Sequence, residues 1–484
     1  MHKAIWSSWT SNSSPKTPLF AQEKSNGCIS NYLSFNLSFF QIPNSNGLQM
    51  NKYTLWSTTV ALAGFLFGFD TIVISGADET LQKLWQSDDT FHGFVVMGMA
   101  LWGTVIGAIG GGIPTNRFGR KNTLIAIGIL FLISALGSAL ASDAYTFAFF
   151  RFIGGLGVGA STIAAPAYIS EISPSNKRGQ LVARYQFSIV LGIVVAFLSN
   201  YLLSNMGTDA WRWMMGVEAL PALIYCLLVV GVPASPRWLL TQGREEEAAE
   251  VLHRLNPSSD VQLLLSDFKS QPGNNHETIF SRKYAKPLAL VFFIAFFNQF
   301  SGINALLYYG PRIFKEAGLE TSSALLSSVG IGAVNLIFTL IGMSLIDRMG
   351  RKFLMRIGSW GYIVSLSLVS ASFFLNWGGI TVPILLFMFI ASHAIGQGAV
   401  IWVFIAELFP THLRASGQAF GSSVHWVLAA LIPSFIPLLF TSIGAGSVFA
   451  LFAAMMILQL IWVRMRMPET KGASLEELSK ELAS

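Results

Sequence analysis

Arg117-Phe118-Gly119-Arg120-Lys121 returns downstream as Arg348-Met349-Gly350-Arg351-Lys352, and the reading of this repeat decides the fold. Glu171, followed by Arg178, returns as Glu407, followed by Arg414. Pro233-Ala234-Ser235-Pro236-Arg237 is answered more loosely by Pro468-Glu469-Thr470-Lys471-Gly472. The three offsets all fall near ~235 residues, and a constant long period is the mark of a duplicated fold. Long apolar stretches run between the signatures. The expected architecture is therefore an all-α integral membrane protein of two six-helix halves. Such duplication places a substrate path at the interface of the halves.

Composition agrees. The chain has 484 residues, of which 52% are hydrophobic and only 12% charged, whereas soluble domains are about 25% charged. No Asp, Glu, Lys or Arg lies between Arg356 and Glu407, nor between Arg414 and Arg464. Each of those segments accommodates two spans of about 20 residues. Apolar windows predict twelve transmembrane helices. The first six fall at about 53–77, 92–114, 122–142, 145–168, 181–204 and 212–232. The second six fall at about 286–309, 323–346, 353–375, 380–405, 415–440 and 444–465.

Arg117, Arg120, Lys121, Lys177, Arg178, Arg348, Arg351 and Lys352 share one side of this topology, while Asp78, Glu79, Asp88, Asp89 and Asp143 lie on the other. Basic loops mark the cytoplasmic side, so both termini are expected inside the cytoplasmic membrane. The loop between spans seven and eight breaks the pattern with Arg312 and Lys315. The net charge of +6 belongs to these loops and implies no nucleic-acid partner. Cys28 and Cys226 suggest no disulfide framework.

Residues 1–49 are rich in Ser and Asn and lack the apolar core of a secretory signal. They read as a disordered or non-native extension, with Met50 directly before the first span. Residues 50–235 form the first half and 286–466 the second. Residues 236–285 include the charged run Arg244–Leu252, with apolar residues at helical spacing. They read as short cytoplasmic helices joining the halves. Residues 467–484 form a cytoplasmic tail.

Phe69-Asp70 with Ser75-Gly76, the two Arg-x-Gly-Arg-Lys loops and Arg151-Phe152-Ile153-Gly154-Gly155 resemble the sugar porter branch of the major facilitator superfamily. So do Pro233-Ala234-Ser235-Pro236-Arg237-Trp238, Gln299-Phe300-Ser301-Gly302-Ile303-Asn304 and Pro468-Glu469-Thr470-Lys471-Gly472. The resemblance runs from about Tyr53 to Leu478 and implies alternating access around a central sugar site.

Asp70 is the only ionisable residue in its predicted span. An intramembrane carboxylate is costly and usually has a partner or a function. Counting from the span ends, Asp70 and Arg151 both lie roughly 10 Å below the outer face at 1.5 Å per residue. The resemblance implies this pairing, with Asp70 as a proton site. A purely structural ion pair is the alternative.

Sugars are neutral polyols and call for carboxamides and aromatic faces. Gln186, Asn298, Gln299, Asn304 and Asn335 match family positions that hydrogen-bond the sugar, and Trp402 and Trp426 match its aromatic walls. Any one amide could instead bond a neighbouring helix. Asn298 departs from the family's usual glutamine. His425, beside Trp426, is a departure read as a sugar contact, and His393 as a satisfied structural histidine. Tyr308 and Tyr309 are gate candidates, with generic packing as the alternative. Gly302 is a candidate break in span seven. Ala399 stands where the family has proline, so the expected break in span ten is mild.

Glu171, Arg178, Arg120, Glu407, Arg351 and Arg414 are implied by the resemblance to form a cytoplasmic latch in the outward-facing state. The leading expectation is a proton-coupled monosaccharide transporter, acting as a monomer in the bilayer. A facilitative carrier of the same fold is the nearest alternative, and a non-transporting sugar sensor a further one. No metal-ligand spacing, nucleophile motif or phosphate loop speaks for an enzyme, a metal or a cofactor.

Overall fold

The computed structural model describes residues 52–174, 177–255, 278–410 and 413–472. The extension at 1–49, residues 256–277 of the connecting segment and the tail beyond Gly472 lie outside the described residues.

Inside a bilayer no water satisfies backbone N–H and C=O groups, so a spanning segment must close its own hydrogen bonds. The described residues are helical throughout the membrane-length segments, with no strand among them. Ten helices are long and apolar enough to cross, or eleven if a pair bent by 43° counts as one span. We label them α1 (Lys52–Gly76), α2 (the bent pair Asp89–Met97 and Met99–Gly110), α3 (Arg120–Leu140), α4 (Ala144–Ile172), α5 (Arg178–Leu203) and α6 (Ala210–Val230). The second set is α7 (Arg282–Glu316), α8 (Thr321–Met349), α9 (Arg351–Phe374), α10 (Thr381–Glu407) and α11 (Arg414–Met465).

Three helices carry a break or an extension. Predicted spans eleven and twelve form the single 52-residue run α11, interrupted at Gly444, whose φ of 77° and ψ of 154° are not helical. Span seven extends past 309 to Glu316, so Arg312 and Lys315 sit on a helix rather than in a loop. Span ten carries a π turn over Ala394–Gly398, directly before Ala399. The connecting segment begins with helices Pro236–Thr241 and Glu245–Leu255.

Lipid tails are as apolar as leucine, so close packing rather than water exclusion joins these helices. Glycines supply the close approach. Gly103 and Gly107 of α2 face Gly155 and Gly159 of α4, and Gly332 of α8 meets Val194 of α5. Large apolar side chains such as Ile109, Leu140, Leu227 and Met465 point outward. Asp143 caps α4 by accepting from the backbone N–H groups of Thr146 and Tyr145, and those bonds hold its carboxyl below the usual carboxylate range. The repeat survives in the backbone. Gly119 and Gly350, at the starts of α3 and α9, have nearly identical φ, ψ angles of 86°, 159° and 88°, 159°.

Candidate functional site

Asp70 and Arg151 meet as their depths predict. Arg151 Nη1 donates to Asp70 Oδ1 at 2.6 Å, and Nη2 donates to the Asp70 carbonyl at 2.7 Å. Both residues are essentially inaccessible. Gly154 of α4 permits the contact, because a Cβ there would lie 2.9 Å from Asp70 Oδ1 and 2.4 Å from Ser134 Oγ. A second carboxylate, Glu218 of α6, is also buried and lies within electrostatic reach of Asp70 and Arg151. Asp70 Oδ2 and Glu218 Oε1 find no donor among the described protein groups. Two carboxylates repel, and a hydrogen bond between two carboxyls needs a proton on one of them. One guanidinium balances one carboxylate, so the second is neutral only while it carries that proton.

The carboxamides of α7 form a connected cluster. Asn304 Nδ2 donates to Gln299 Oε1 at 2.7 Å, and Gln299 Nε2 donates to Asn298 Oδ1 at 2.8 Å. Gln299 Nε2 also lies 3.2 Å from His425 Nδ1. The His425 ring sits between indoles, 5.1 Å from Trp402 and 5.1 Å from Trp426. Trp426 is 5.6 Å from Phe67 of α1, so aromatic contact crosses between the sequence halves. Gly302 makes the cluster possible: its φ of 84° interrupts α7 between Gln299 and Asn304.

Other candidates lie around this cluster. Tyr309 Oη donates to the Pro433 carbonyl at 3.0 Å. Tyr308 of α7 is fully buried and within electrostatic reach of Arg151 and Asp70. Asn335 accepts from Thr339 on its own helix at 3.3 Å. Gln186 is half-buried on α5 with no hydrogen bond recorded among the described residues. His393 Nδ1 lies 2.6 Å from Tyr362 Oη, which satisfies it as a structural histidine.

At the basic-loop end, ion pairs form within each half. Arg120 Nη2 meets Glu171 at 3.0 Å, and Arg351 Nη2 meets Glu407 at 2.7 Å. Ser235 Oγ donates to Glu171 at 2.5 Å and Thr470 Oγ1 to Glu407 at 2.6 Å, so the loosely repeated proline motifs serve the same glutamates. The structure records no ion pair for Arg178 or Arg414 among the described residues; the six-residue latch was expected of the outward-facing state. The ion pairs that join the halves lie at the opposite end. Arg312 meets Asp78 at 3.3 Å and Lys315 meets Glu79 at 3.0 Å.

The family model described as "Sugar (and other) transporter" matches residues 56–482. The chain belongs to this family, the sugar porters of the major facilitator superfamily. Among curated sugar porters it is 34% identical to the arabinose-proton symporter of Bacillus subtilis, over 91% of this chain and 97% of that one. It is 31% identical to the D-xylose-proton symporter of Escherichia coli K12, over 89% and 96% of the two chains. Among solved structures, the inward-open xylose transporter XylE of E. coli matches with a TM-score of 0.79 at 30% identity, covering 88% of this chain and 98% of that one.

In this sugar porter the geometry brings together Asp70 with Arg151, and Asn298, Gln299 and Asn304 with His425, Trp402 and Trp426. It leaves Gln186 and Asn335 outside the recorded hydrogen-bonded cluster. The sequence reading missed Glu218, Ser235 and Thr470 as partners. It also missed Gln397 and Gln459, whose amides continue the cluster outward from Asn298. The pairing of Ser235 and Thr470 was open to the repeat, since each falls in a quoted motif. Glu218 and the two glutamines carry no motif.

Proposed function

We propose that this chain carries a monosaccharide across the cytoplasmic membrane by alternating access, with one proton moving alongside. The observation that carries this reading is the buried Asp70–Arg151–Glu218 group, set within electrostatic reach of Tyr308 on the same broken helix that bears Gln299 and Asn304. Relatives whose names state arabinose–proton and D-xylose–proton symport support it. Proton gain at the two carboxyls changes how many charges Arg151 must balance, and so changes how tightly α1, α4 and α6 are held together. Asn298, Gln299, Asn304, His425, Trp402 and Trp426 bind the sugar, with Gln186 and Asn335 facing it from α5 and α8. Tyr308 and Tyr309 gate it.

The proposal includes the twelve-span topology. At 1.5 Å per residue, α11 would run roughly 78 Å, more than twice the hydrocarbon thickness of about 30 Å. The backbone break at Gly444 turns it into two crossings. With the bent pair α2, that makes six spans in residues 50–235 and six in 286–466. Loop charge puts both termini in the cytoplasm, and the Glu171 and Glu407 clusters then lie on the cytoplasmic face. The protein acts as a monomer. Uptake of labelled pentoses and hexoses into proteoliposomes, with and without a protonophore, tests the reading. Concentrative uptake that collapses with the protonophore is expected; protonophore-insensitive equilibration alone would overturn proton coupling.

A further inference from the structure

A hydrogen-bonded chain runs from the sugar-facing amides through four helices to a backbone carbonyl, and its direction is fixed at that carbonyl. Ser359 Oγ on α9 lies 2.7 Å from the Met355 carbonyl oxygen. A carbonyl oxygen only accepts, and two oxygens so close repel unless a proton lies between them. The Ser359 proton is therefore committed, and Ser359 offers only lone pairs to its other neighbour. That neighbour, Gln459 of α11, donates to it through Nε2 at 2.8 Å. Gln459 Oε1 then accepts from Gln397 Nε2 of α10 at 2.9 Å, and Gln397 Oε1 accepts from Asn298 Nδ2 at 3.4 Å. Asn298 passes the same sense to Gln299, and Gln299 to Asn304.

Ser359, Gln397 and Gln459 are fully buried. Turning over any one of these carboxamides would set oxygen against oxygen and NH2 against NH2 at its two ends, with no water to relieve either. The chain ends at Asn304, which is half-buried, and its carboxamide oxygen is the one acceptor left unclaimed. The shorter Asn298 is met by Gln397, which the π turn Ala394–Gly398 brings inward.

We infer that Ser359, Gln459 and Gln397 are positioning residues that fix the donor–acceptor sense of the sugar-binding amides, so that Asn304 presents an acceptor to one sugar hydroxyl. The inference rests on the transport reading above. It makes the site selective for a hydroxyl that donates, and a fluorine at that carbon cannot donate.

The test is competition by D-xylose, L-arabinose, D-glucose and their monofluorodeoxy analogues for uptake in proteoliposomes. For the wild type, fluorine at one position should weaken apparent affinity about tenfold or more, since a site built to pair a hydroxyl rejects the analogue lacking it. In Gln459→Leu, Gln397→Leu and Ser359→Ala the amides can turn over. The penalty at that position should then fall to within about threefold of the parent sugar, while penalties elsewhere stay. Ser359→Ala removes one oxygen atom and covers the case in which a glutamine variant fails to insert. Lower thermal stability with an unchanged fluorine profile would make the chain merely structural and overturn the inference. A wild-type protein that binds none of these sugars would overturn the transport reading, and this inference with it.

Discussion

Arg151 donates twice to Asp70, once to the carboxylate and once to the carbonyl, and Glu218 closes the group from a third helix. Buried pairs of this kind are weak evidence for stability, because desolvation opposes the Coulomb attraction. The group is better explained by a change of state. Asp70→Asn keeps the shape of the side chain and removes one titrating group. Accumulation against a sugar gradient should disappear, while counterflow exchange of labelled for unlabelled sugar stays measurable. Concentrative uptake at the wild-type level in that variant would remove Asp70 from proton coupling. Gln299 sits at the junction of the amide cluster, donating through Nε2 to Asn298 Oδ1 and accepting at Oε1 from Asn304 Nδ2. Losing one neutral hydrogen bond costs about 0.5–1.5 kcal/mol, and more when a buried partner stays unpaired. Gln299→Ala should therefore weaken sugar binding about tenfold or more by calorimetry. An unchanged dissociation constant would exclude Gln299 as an anchor.

The break in α7 is the element on which the cluster depends. Gly302 has a φ of 84°, and a Cβ there would lie 2.5 Å from the Phe452 ring. A left-handed conformation costs a non-glycine residue roughly 1–2 kcal/mol before any clash is counted. Gly302→Ala should lower the melting temperature of the purified protein and reduce sugar affinity together, because straightening the break moves Asn304 away from Gln299. A variant with full stability and affinity would show that the break is incidental. This glycine was legible in the sequence because the Ser-Gly-Ile-Asn run stands inside an apolar span. Asp70 and Arg151 were legible because a lone charge in a span has a depth, and depths can be matched. Glu218, Gln397 and Gln459 were not. Their helices are apolar all round, so no periodicity says which face looks inward. A single amide there is equally a helix-to-helix bond. The continuation of α7 to Glu316 was hidden for the opposite reason: Arg312 and Lys315 look like loop charges until their partners are known.

Those partners give the whole molecule a direction. Asp78 is buried, held by His92 Nε2 at 2.6 Å and by Arg312 at 3.3 Å from the other half. Arg312 also donates to Gln82, and Asp89 accepts from Thr441 at 2.8 Å. At the basic-loop end the pairs stay within halves. The halves are therefore clasped at one end. The two clasping pairs should differ in weight. Lys315 and Glu79 are 28% and 26% exposed, and such pairs contribute about 0–1 kcal/mol. Arg312 serves a carboxylate only 2% exposed, and stripping a partner from a buried charge costs several times more, up to about 3–5 kcal/mol. A few kcal/mol separate the states of such a carrier. Arg312→Ala should shift the population toward the state open at this end by about tenfold or more, and Lys315→Ala by about fivefold at most. Spin labels at the Asp78 end of the first half and the Lys315 end of the second, with Cys28 and Cys226 replaced by serine, report the distance between the halves. A longer-distance population that grows in Arg312→Ala and barely changes in Lys315→Ala is the expected result. Unchanged distances in a folded, inserted Arg312→Ala would show that Asp78 and Arg312 do not hold this end closed.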